Sequence, residues 1–125
     1  MNRNKLKTLP DEMDVFVHLT RFTAYRNEIE ALPKSFYDLD SLEIADLYFN
    51  KIGVIDPAIV NMKNLNILYL SNNELYSLPD KIGNLQNLEM LFLHHNKLSY
   101  LPISIGQLKN LKVLNDPIHP QKKPK

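Results

Sequence analysis

The sequence contains no cysteine, and only three of its 125 residues are glycine. Without cysteine the chain can form no disulfide, no cysteine-ligated zinc site and no thiol nucleophile. So few glycines leave little material for phosphate-binding loops, and the G-x-S-x-G, H-E-x-x-H and EF-hand patterns are all missing. These absences exclude several common catalytic and cofactor-binding chemistries.

A large excess of charge and long apolar runs are also missing. The formal net charge of +1 gives little electrostatic support for nonspecific binding to nucleic acid or to acidic membranes. No segment approaches the roughly 20 apolar residues that cross a bilayer, and the N-terminus lacks the apolar stretch of a signal peptide. We expect a one-domain cytoplasmic protein with no nucleic-acid partner and no membrane insertion, although signal-independent export would leave no such trace.

A repeat with a constant interval of 23 residues runs through the chain. An asparagine marks every unit, at Asn4, Asn27, Asn50, Asn73 and Asn96. Apolar columns keep the same interval, and one of them contains Leu19, Leu42, Leu65, Leu88 and Leu111. A period of this length indicates a supersecondary unit that stacks on copies of itself.

The period also divides the chain. We predict a partial N-terminal repeat at 1–18, a terminal strand at 111–116 and a disordered tail, rich in proline and lysine, at 117–125. Between the partial repeat and the terminal strand we predict four full repeats, at 19–41, 42–64, 65–87 and 88–110. At least three stacked repeats are needed for a stable core, so four are sufficient.

Two units carry a recognisable motif, LNILYLSNNELYSLPDKIGNLQN from Leu65 and LEMLFLHHNKLSYLPISIGQLKN from Leu88. They match the pattern L-x-x-L-x-L-x-x-N-x-L, and the chain therefore resembles leucine-rich-repeat proteins. The second half, L-P-x-x-I-x-x-L, resembles the 23-residue class of intracellular Ras-group-like and bacterial members. The resemblance implies a protein-binding scaffold or adaptor and not an enzyme, with no cofactor and no metal.

The pattern predicts an α/β-type repeat solenoid. L-x-x-L-x-L alternates as a short strand does, with its leucines on one side, and stacked units bury that side against each other. We expect a curved arc with short parallel strands on its concave face. Prolines after the third apolar position favour turns or short helical or 3-10 segments on the convex face, at Pro10, Pro33, Pro79 and Pro102.

The asparagine row is interpreted as structural. A side-chain amide has two donors and an acceptor, so each asparagine can bond backbone groups of its own unit and of the next unit. An unpaired buried polar group would cost about 1–3 kcal/mol. No catalytic residue is assigned. Adjacent residues of a strand point to opposite sides or splay at a turn, so His94 and His95 are not expected to share a metal ion.

Residues between the leucines should form the concave surface, which the resemblance implies is the recognition surface. We predict that a protein or peptide partner contacts Tyr25, Asp46, Tyr48, Tyr69, Met90, Phe92 and His94. Alternatively, the rings pack only against each other across the strands. The expected patch of roughly 20 by 13 Å is smaller than the roughly 800 Å² that each partner contributes to a standard interface, which favours weak or peptide-sized binding.

The N-terminal edge of the predicted sheet suggests a second function. An open strand edge can pair with another strand. The protein could then be a structural or regulatory module that self-associates through this edge or joins a larger assembly. A local loop that covers the edge is the simpler alternative, and the chain is expected to be a monomer or a weak homodimer.

Overall fold

The computed structural model describes residues 5–115, in which short strands alternate with short 3-10 helices. The strands are β1 (Arg21–Thr23), β2 (Ile44–Asp46), β3 (Ile67–Tyr69), β4 (Met90–Phe92) and β5 (Val113–Asn115). The 3-10 helices are Met13–Val15, Lys34–Asp38, Pro57–Asn61, Ile82–Asn84 and Ile103–Gln107. Asn4, the end of the predicted terminal strand and the predicted tail lie outside the described residues.

The strands form one parallel sheet in chain order, from β1 at one edge to β5 at the other. Partners across the sheet occupy the same repeat position, as when Ala45 pairs with Leu68 and Leu68 pairs with Leu91. A constant interval in the sequence has therefore become a constant displacement in space. The predicted repeat solenoid is confirmed, and the structured segments opposite the sheet are 3-10 helices.

The core lies between the sheet and the 3-10 helices. The middle residue of each central strand is fully buried, as are apolar residues of the helices such as Phe36 and Ile59. The outer strand residues are only partly buried, which is the alternation expected when one face of a sheet is packed. Each unit thus stabilises its neighbours, and one sheet face remains available.

Proline sets where several 3-10 helices begin. Pro33 and Pro102 occupy the position just before a helix, in extended conformation, and Pro57 is the first helical residue. The helix that begins at Pro57 differs from the other 3-10 helices because the Asp56 side chain caps it, accepting the Ala58 N–H at 2.8 Å. No helix within residues 5–115 is long and apolar enough to cross a membrane.

The asparagine row joins consecutive units through hydrogen bonds. Asn50 donates from Nδ2 to the carbonyl oxygen of Leu47 in its own unit at 3.1 Å, and to that of Ala24 in the preceding unit at 2.9 Å. Its Oδ1 accepts the Ile29 N–H at 3.1 Å. Asn50 is 5% exposed, so these backbone groups are shielded from water.

We expected each asparagine to bond its own unit and the following one, but the bonds between units run to the preceding one. Asn73 and Asn96 repeat the pattern of Asn50, bonding their own unit and the preceding one. Asn27 also accepts from the preceding unit, through the Leu6 N–H at 3.2 Å. The reason is that the turn after each strand directs its free N–H toward the asparagine of the following unit.

The residue before each asparagine has left-handed backbone geometry. The φ angles lie between 58° and 61° at Arg26, Phe49, Asn72 and His95. Asparagine tolerates this conformation better than bulky residues do. Histidine is also enriched in this conformation, so two of the four units, at Arg26 and Phe49, adopt it with a less suitable side chain.

A second, exposed asparagine row was missed in the sequence. Asn64, Asn87 and Asn110 each donate from Nδ2 to the carbonyl oxygen of the residue 24 positions earlier, at 2.7 or 2.8 Å. The signal was available, because these asparagines also recur every 23 residues, directly before the first leucine of a unit. Their bonds join consecutive units at the surface, whereas the bonds of the first asparagine row are buried or partly buried.

Apolar side chains are exposed at the N-terminal end of the sheet. Val15, Phe16 and Val17 are 65%, 48% and 52% exposed, whereas Leu39 and Met62, which follow Phe16 at the repeat interval, are fully buried. Within residues 5–115 no strand pairs with β1 on the side away from β2. Among the described residues, this end of the stack therefore has exposed apolar side chains and a β1 edge without a strand partner.

Candidate partner-binding face

Three columns of side chains cross the outer side of the sheet, and we call this surface the concave face. The first column follows the strand pairing through Arg21, Ile44, Ile67, Met90 and Val113. The second follows it through Thr23, Asp46, Tyr69, Phe92 and Asn115. The third lies two residues further along each chain segment and contains Tyr25, Tyr48, Ser71 and His94.

The residues predicted to contact a partner all lie in these columns. They are neither core residues nor fully exposed ones, since each is half-buried: Tyr25, Asp46, Tyr48, Tyr69, Met90, Phe92 and His94. Strands β2, β3 and β4 contain Asp46, Tyr69, Met90 and Phe92. The other three residues each lie two positions after the end of a strand: Tyr25 after β1, Tyr48 after β2 and His94 after β4. The fold thus places them on one surface, and their role in binding stays a prediction.

Two rings on neighbouring strands stack in the centre of the concave face. The Tyr69 and Phe92 ring centroids are 4.9 Å apart and their planes differ by only 6°. The Tyr48 ring instead contacts Phe49 edge-on, with centroids 5.8 Å apart. Cross-strand ring packing therefore does occur, and it makes the central rings a pre-ordered apolar surface. Pre-ordered rings lose little conformational entropy when something binds them.

Asp46 places a carboxylate beside these rings. Its Oδ1 accepts the Tyr48 N–H at 3.3 Å, and no Lys, Arg or His nitrogen of the described chain lies within 4.0 Å of it. Partial burial raises the pKa of the Asp46 carboxyl, while the Tyr48 hydrogen bond and the charge of Arg21 lower it to a smaller extent. Folding thus makes the ionised form of Asp46 less favourable than it is in the unfolded chain.

This pKa shift predicts how stability depends on pH. A carboxyl whose pKa is raised by folding contributes stability below its ordinary pKa of about 4, and that contribution is lost as the pH rises through the folded value. Asp46→Asn removes the charge and keeps an acceptor for Tyr48. We expect the variant to melt at a higher temperature than the wild type at neutral pH, with the difference shrinking in acid.

Thermal unfolding across a pH series measures this difference. Glu43→Gln is the matched control, because it removes one exposed negative charge just before the same strand. The control reports the effect of net charge alone. A lower melting temperature for Asp46→Asn at neutral pH would contradict the assignment of a destabilising carboxylate.

Ser71 contributes a hydroxyl that has no hydrogen-bond partner. The residue is 3% exposed. Among residues 5–115, its Oγ is the one buried side-chain oxygen or nitrogen that has no hydrogen-bond partner. It stands in the third column between Tyr48 and His94. An unpaired buried hydroxyl costs about 1–3 kcal/mol. The sequence places Ser71 in this column and gives no sign that its oxygen is unpaired.

His94 is tied to the last strand. Its backbone N–H donates to Asn115 Oδ1 at 3.0 Å, and its ring Nδ1 contacts the same oxygen. The His94 and His95 rings lie edge to face, with centroids 4.7 Å apart. In the part of the chain that is described, no three His, Asp or Glu side chains are grouped so that they could hold a metal ion.

A cavity of about 340 Å³ opens on the other side of the molecule, between the second and third 3-10 helices. Its lining includes Lys34, Asp38 and Asp40. Tyr37 also lines it, and its hydroxyl oxygen accepts the Asp56 N–H at 3.0 Å. Burial raises the pKa of the Tyr37 hydroxyl. This phenol therefore joins two units and stays protonated at neutral pH.

Comparison with protein families agrees with this geometry. A family model described as leucine rich repeat matches the chain twice, over residues 46–98 and 63–115, which together span more than half of it. The chain belongs to the leucine-rich-repeat family. Its assignment to the 23-residue class of that family stays a prediction. A search of curated protein sequences finds no significant match to this leucine-rich-repeat chain.

Solved structures resemble this leucine-rich-repeat chain over most of its length. A leucine-rich-repeat protein of Leptospira interrogans is 29% identical with a TM-score of 0.68, over 95% of this chain and 37% of that one. An internalin of Listeria monocytogenes is 27% identical with a TM-score of 0.73, over 85% and 31%. A plant peptide hormone receptor, in complex with RGF2, is 30% identical with a TM-score of 0.77, over 86% and 18%.

This chain therefore spans less than two fifths of each of these three proteins. The similarity extends to the repeated unit and its stacking. The larger proteins contain further chain to which nothing in residues 5–115 corresponds.

Proposed function

We propose that this chain is a non-enzymatic scaffold or adaptor that binds a protein or peptide through its concave face. The observation that carries the proposal is the stacked, half-exposed pair Tyr69 and Phe92 at the centre of that face. Aromatic residues that are already ordered are the usual anchors of interfaces. The similarity to a receptor solved with a peptide hormone supports the proposal. The proposal also includes the sequence-based prediction that the protein is cytoplasmic.

The size of the concave face favours a small ligand. Each strand is only three residues long, and five strands are present in the described chain. At about 3.3 Å per residue and 4.8 Å between strands, the face is smaller than one side of a standard protein interface. We therefore propose peptide-sized contacts of modest affinity, strengthened where further repeats or the flanks of the sheet take part.

The test is a comparison of bound partners. Replacing Tyr48, Tyr69 and Phe92 together by alanine should abolish capture of the partner, with a loss of affinity of about a hundredfold or more. Tyr76→Ala with Tyr100→Ala is the matched control, since both tyrosines are exposed, at 61% and 56%, and lie outside the three columns. If the folded triple variant keeps every partner of the wild type, the concave face is not the binding surface.

A second candidate is self-association through the N-terminal edge. The exposed Val15, Phe16 and Val17, together with the open side of β1, favour a second copy of this chain as the occupant. Two β1 edges could pair in antiparallel fashion and cover both apolar surfaces. Light scattering over a range of concentrations tests this, because Val15→Lys should shift the protein to monomer. Val54→Lys is the control, since Val54 is also 65% exposed but lies elsewhere.

A further inference from the structure

Asp46 is the acidic residue of the concave face. Within the three columns every other member is apolar, aromatic, neutral polar, arginine or histidine. In the strand pairing, Asp46 lies between Thr23 and Tyr69, so no second carboxylate adjoins it in its column. A single negative charge therefore stands at the side of an aromatic surface.

The charge of Asp46 is poorly compensated within the molecule. Its carboxylate accepts one backbone hydrogen bond, from Tyr48, and has no cation within ion-pair distance among the described side chains. The residue is half-buried, and burial makes its ionised form less favourable than it is in water. A cation brought by a ligand would recover part of the solvation that the carboxylate has lost.

The surroundings of Asp46 match one type of side chain in particular. Tyr69 adjoins Asp46 in the strand pairing and Tyr48 lies two residues after it, while Ile44 and Ile67 occupy the first column on the same two strands. Lysine and arginine pack an aliphatic stem on apolar surface and keep a charged tip in contact with polar groups. Their cationic tips are also attracted to the faces of aromatic rings.

We propose that the concave face is specific for a peptide segment that presents a lysine or arginine side chain to Asp46. This inference rests on the proposed function and names the chemistry of its partner. The stem of the basic residue lies on Ile44 and Ile67, and its charged tip pairs with the Asp46 carboxylate beside the Tyr69 ring. An apolar residue of the same segment covers the stacked Tyr69 and Phe92 rings.

Arg21 opposes this binding. It is exposed, lies one strand away in the first column, and its charge already acts on Asp46 from beyond ion-pair distance. An arriving lysine or arginine is repelled by Arg21 and competes with it for the carboxylate. Removing Arg21 should therefore strengthen binding of a basic peptide, whereas removing Asp46 should weaken it. A purely structural role for the two residues predicts no such opposite effects.

The experiment is a selection from a displayed library of short random peptides on the full wild-type chain, followed by affinity measurements with the selected peptides. We expect lysine or arginine at one fixed place beside an apolar residue. Asp46→Asn should weaken these peptides by about tenfold, and Arg21→Gln should bind them more tightly. Glu43→Gln, which removes an exposed negative charge outside the three columns, should bind as the wild type does.

The outcomes separate this inference from the proposed function. Peptides that lose affinity for the alanine variant of Tyr48, Tyr69 and Phe92, but contain no fixed basic residue and bind Asp46→Asn normally, overturn the inference and leave the proposed function intact. A selection whose peptides bind that triple variant as well as the wild type, or that yields no binders, overturns both. Equal weakening by Asp46→Asn and Glu43→Gln would reduce the effect to net charge and also contradicts the inference.

Discussion

Asn50→Ala is expected to destabilise the protein by about 3–4 kcal/mol. The substitution removes the acceptor for the Ile29 N–H and the donor for the Ala24 and Leu47 carbonyl oxygens, all in a buried site. Each backbone group left unpaired costs about 1–3 kcal/mol, reduced where water can enter. Because these bonds join the repeats 19–41 and 42–64, the loss should weaken the stacking of the first full unit on the second. Chemical denaturation measures the change in unfolding free energy.

Asn87→Ala is the matched control for this effect. Asn87 belongs to the exposed row, and its side chain makes one bond, to the Lys63 carbonyl oxygen at 2.8 Å. Water replaces that bond on the surface, so a loss below about 1 kcal/mol is expected. Equal losses for Asn50→Ala and Asn87→Ala would mean that the buried row does not hold the stack together.

Gly83→Ala is expected to be the second large effect, with a loss of about 3 kcal/mol. Gly83 lies in the 3-10 helix Ile82–Asn84, and a Cβ there would overlap the carbonyl oxygen of Ser104 in the following unit and lie 2.9 Å from its carbonyl carbon. The N–H of Gly83 also donates to Ser104 Oγ at 3.0 Å. Because the obstruction is backbone, the third and fourth units must separate on this side.

The repeat supplies its own control, because Gly106 lies one interval after Gly83. Among residues 5–115, a Cβ at Gly106 would meet nothing within 4 Å, and neither glycine has a positive φ. Gly106→Ala should therefore leave stability unchanged or raise it by up to about 1 kcal/mol, since alanine restricts the unfolded chain. Unfolding free energies of the two variants decide the point, and a Gly83→Ala protein as stable as Gly106→Ala would show that the close approach is not real.

Most of the fold could be predicted because the sequence repeats its core. Leu42, Leu65 and Leu88 recur at one interval and are all buried, and the outward columns follow the strand pairing that this interval predicts. The direction of the asparagine bonds could not be read in the same way. Periodicity relates each unit equally to the unit before and the unit after, and only three-dimensional geometry distinguishes the two.

The candidate face was predictable in position and not in chemistry. Register alone places Tyr69 beside Phe92 and Asp46 beside Tyr69. It does not say that the Tyr69 and Phe92 rings are parallel. Nor does it say that, among the described residues, the Asp46 carboxylate has no cation within ion-pair distance and the Ser71 hydroxyl has no partner. These properties depend on rotamers and on burial by residues distant in sequence, which no single repeat contains.

The central claim is that stacked repeats present one sheet face on which a partner binds. Backbone amide chemical shifts of the labelled protein, followed by NMR during titration with a selected basic peptide, test it most directly. We expect the largest shifts at Asp46, Tyr48, Tyr69 and Phe92, with small ones in the 3-10 helices. Shifts concentrated in Lys34–Asp38 and Pro57–Asn61, on the opposite side, would contradict the claim.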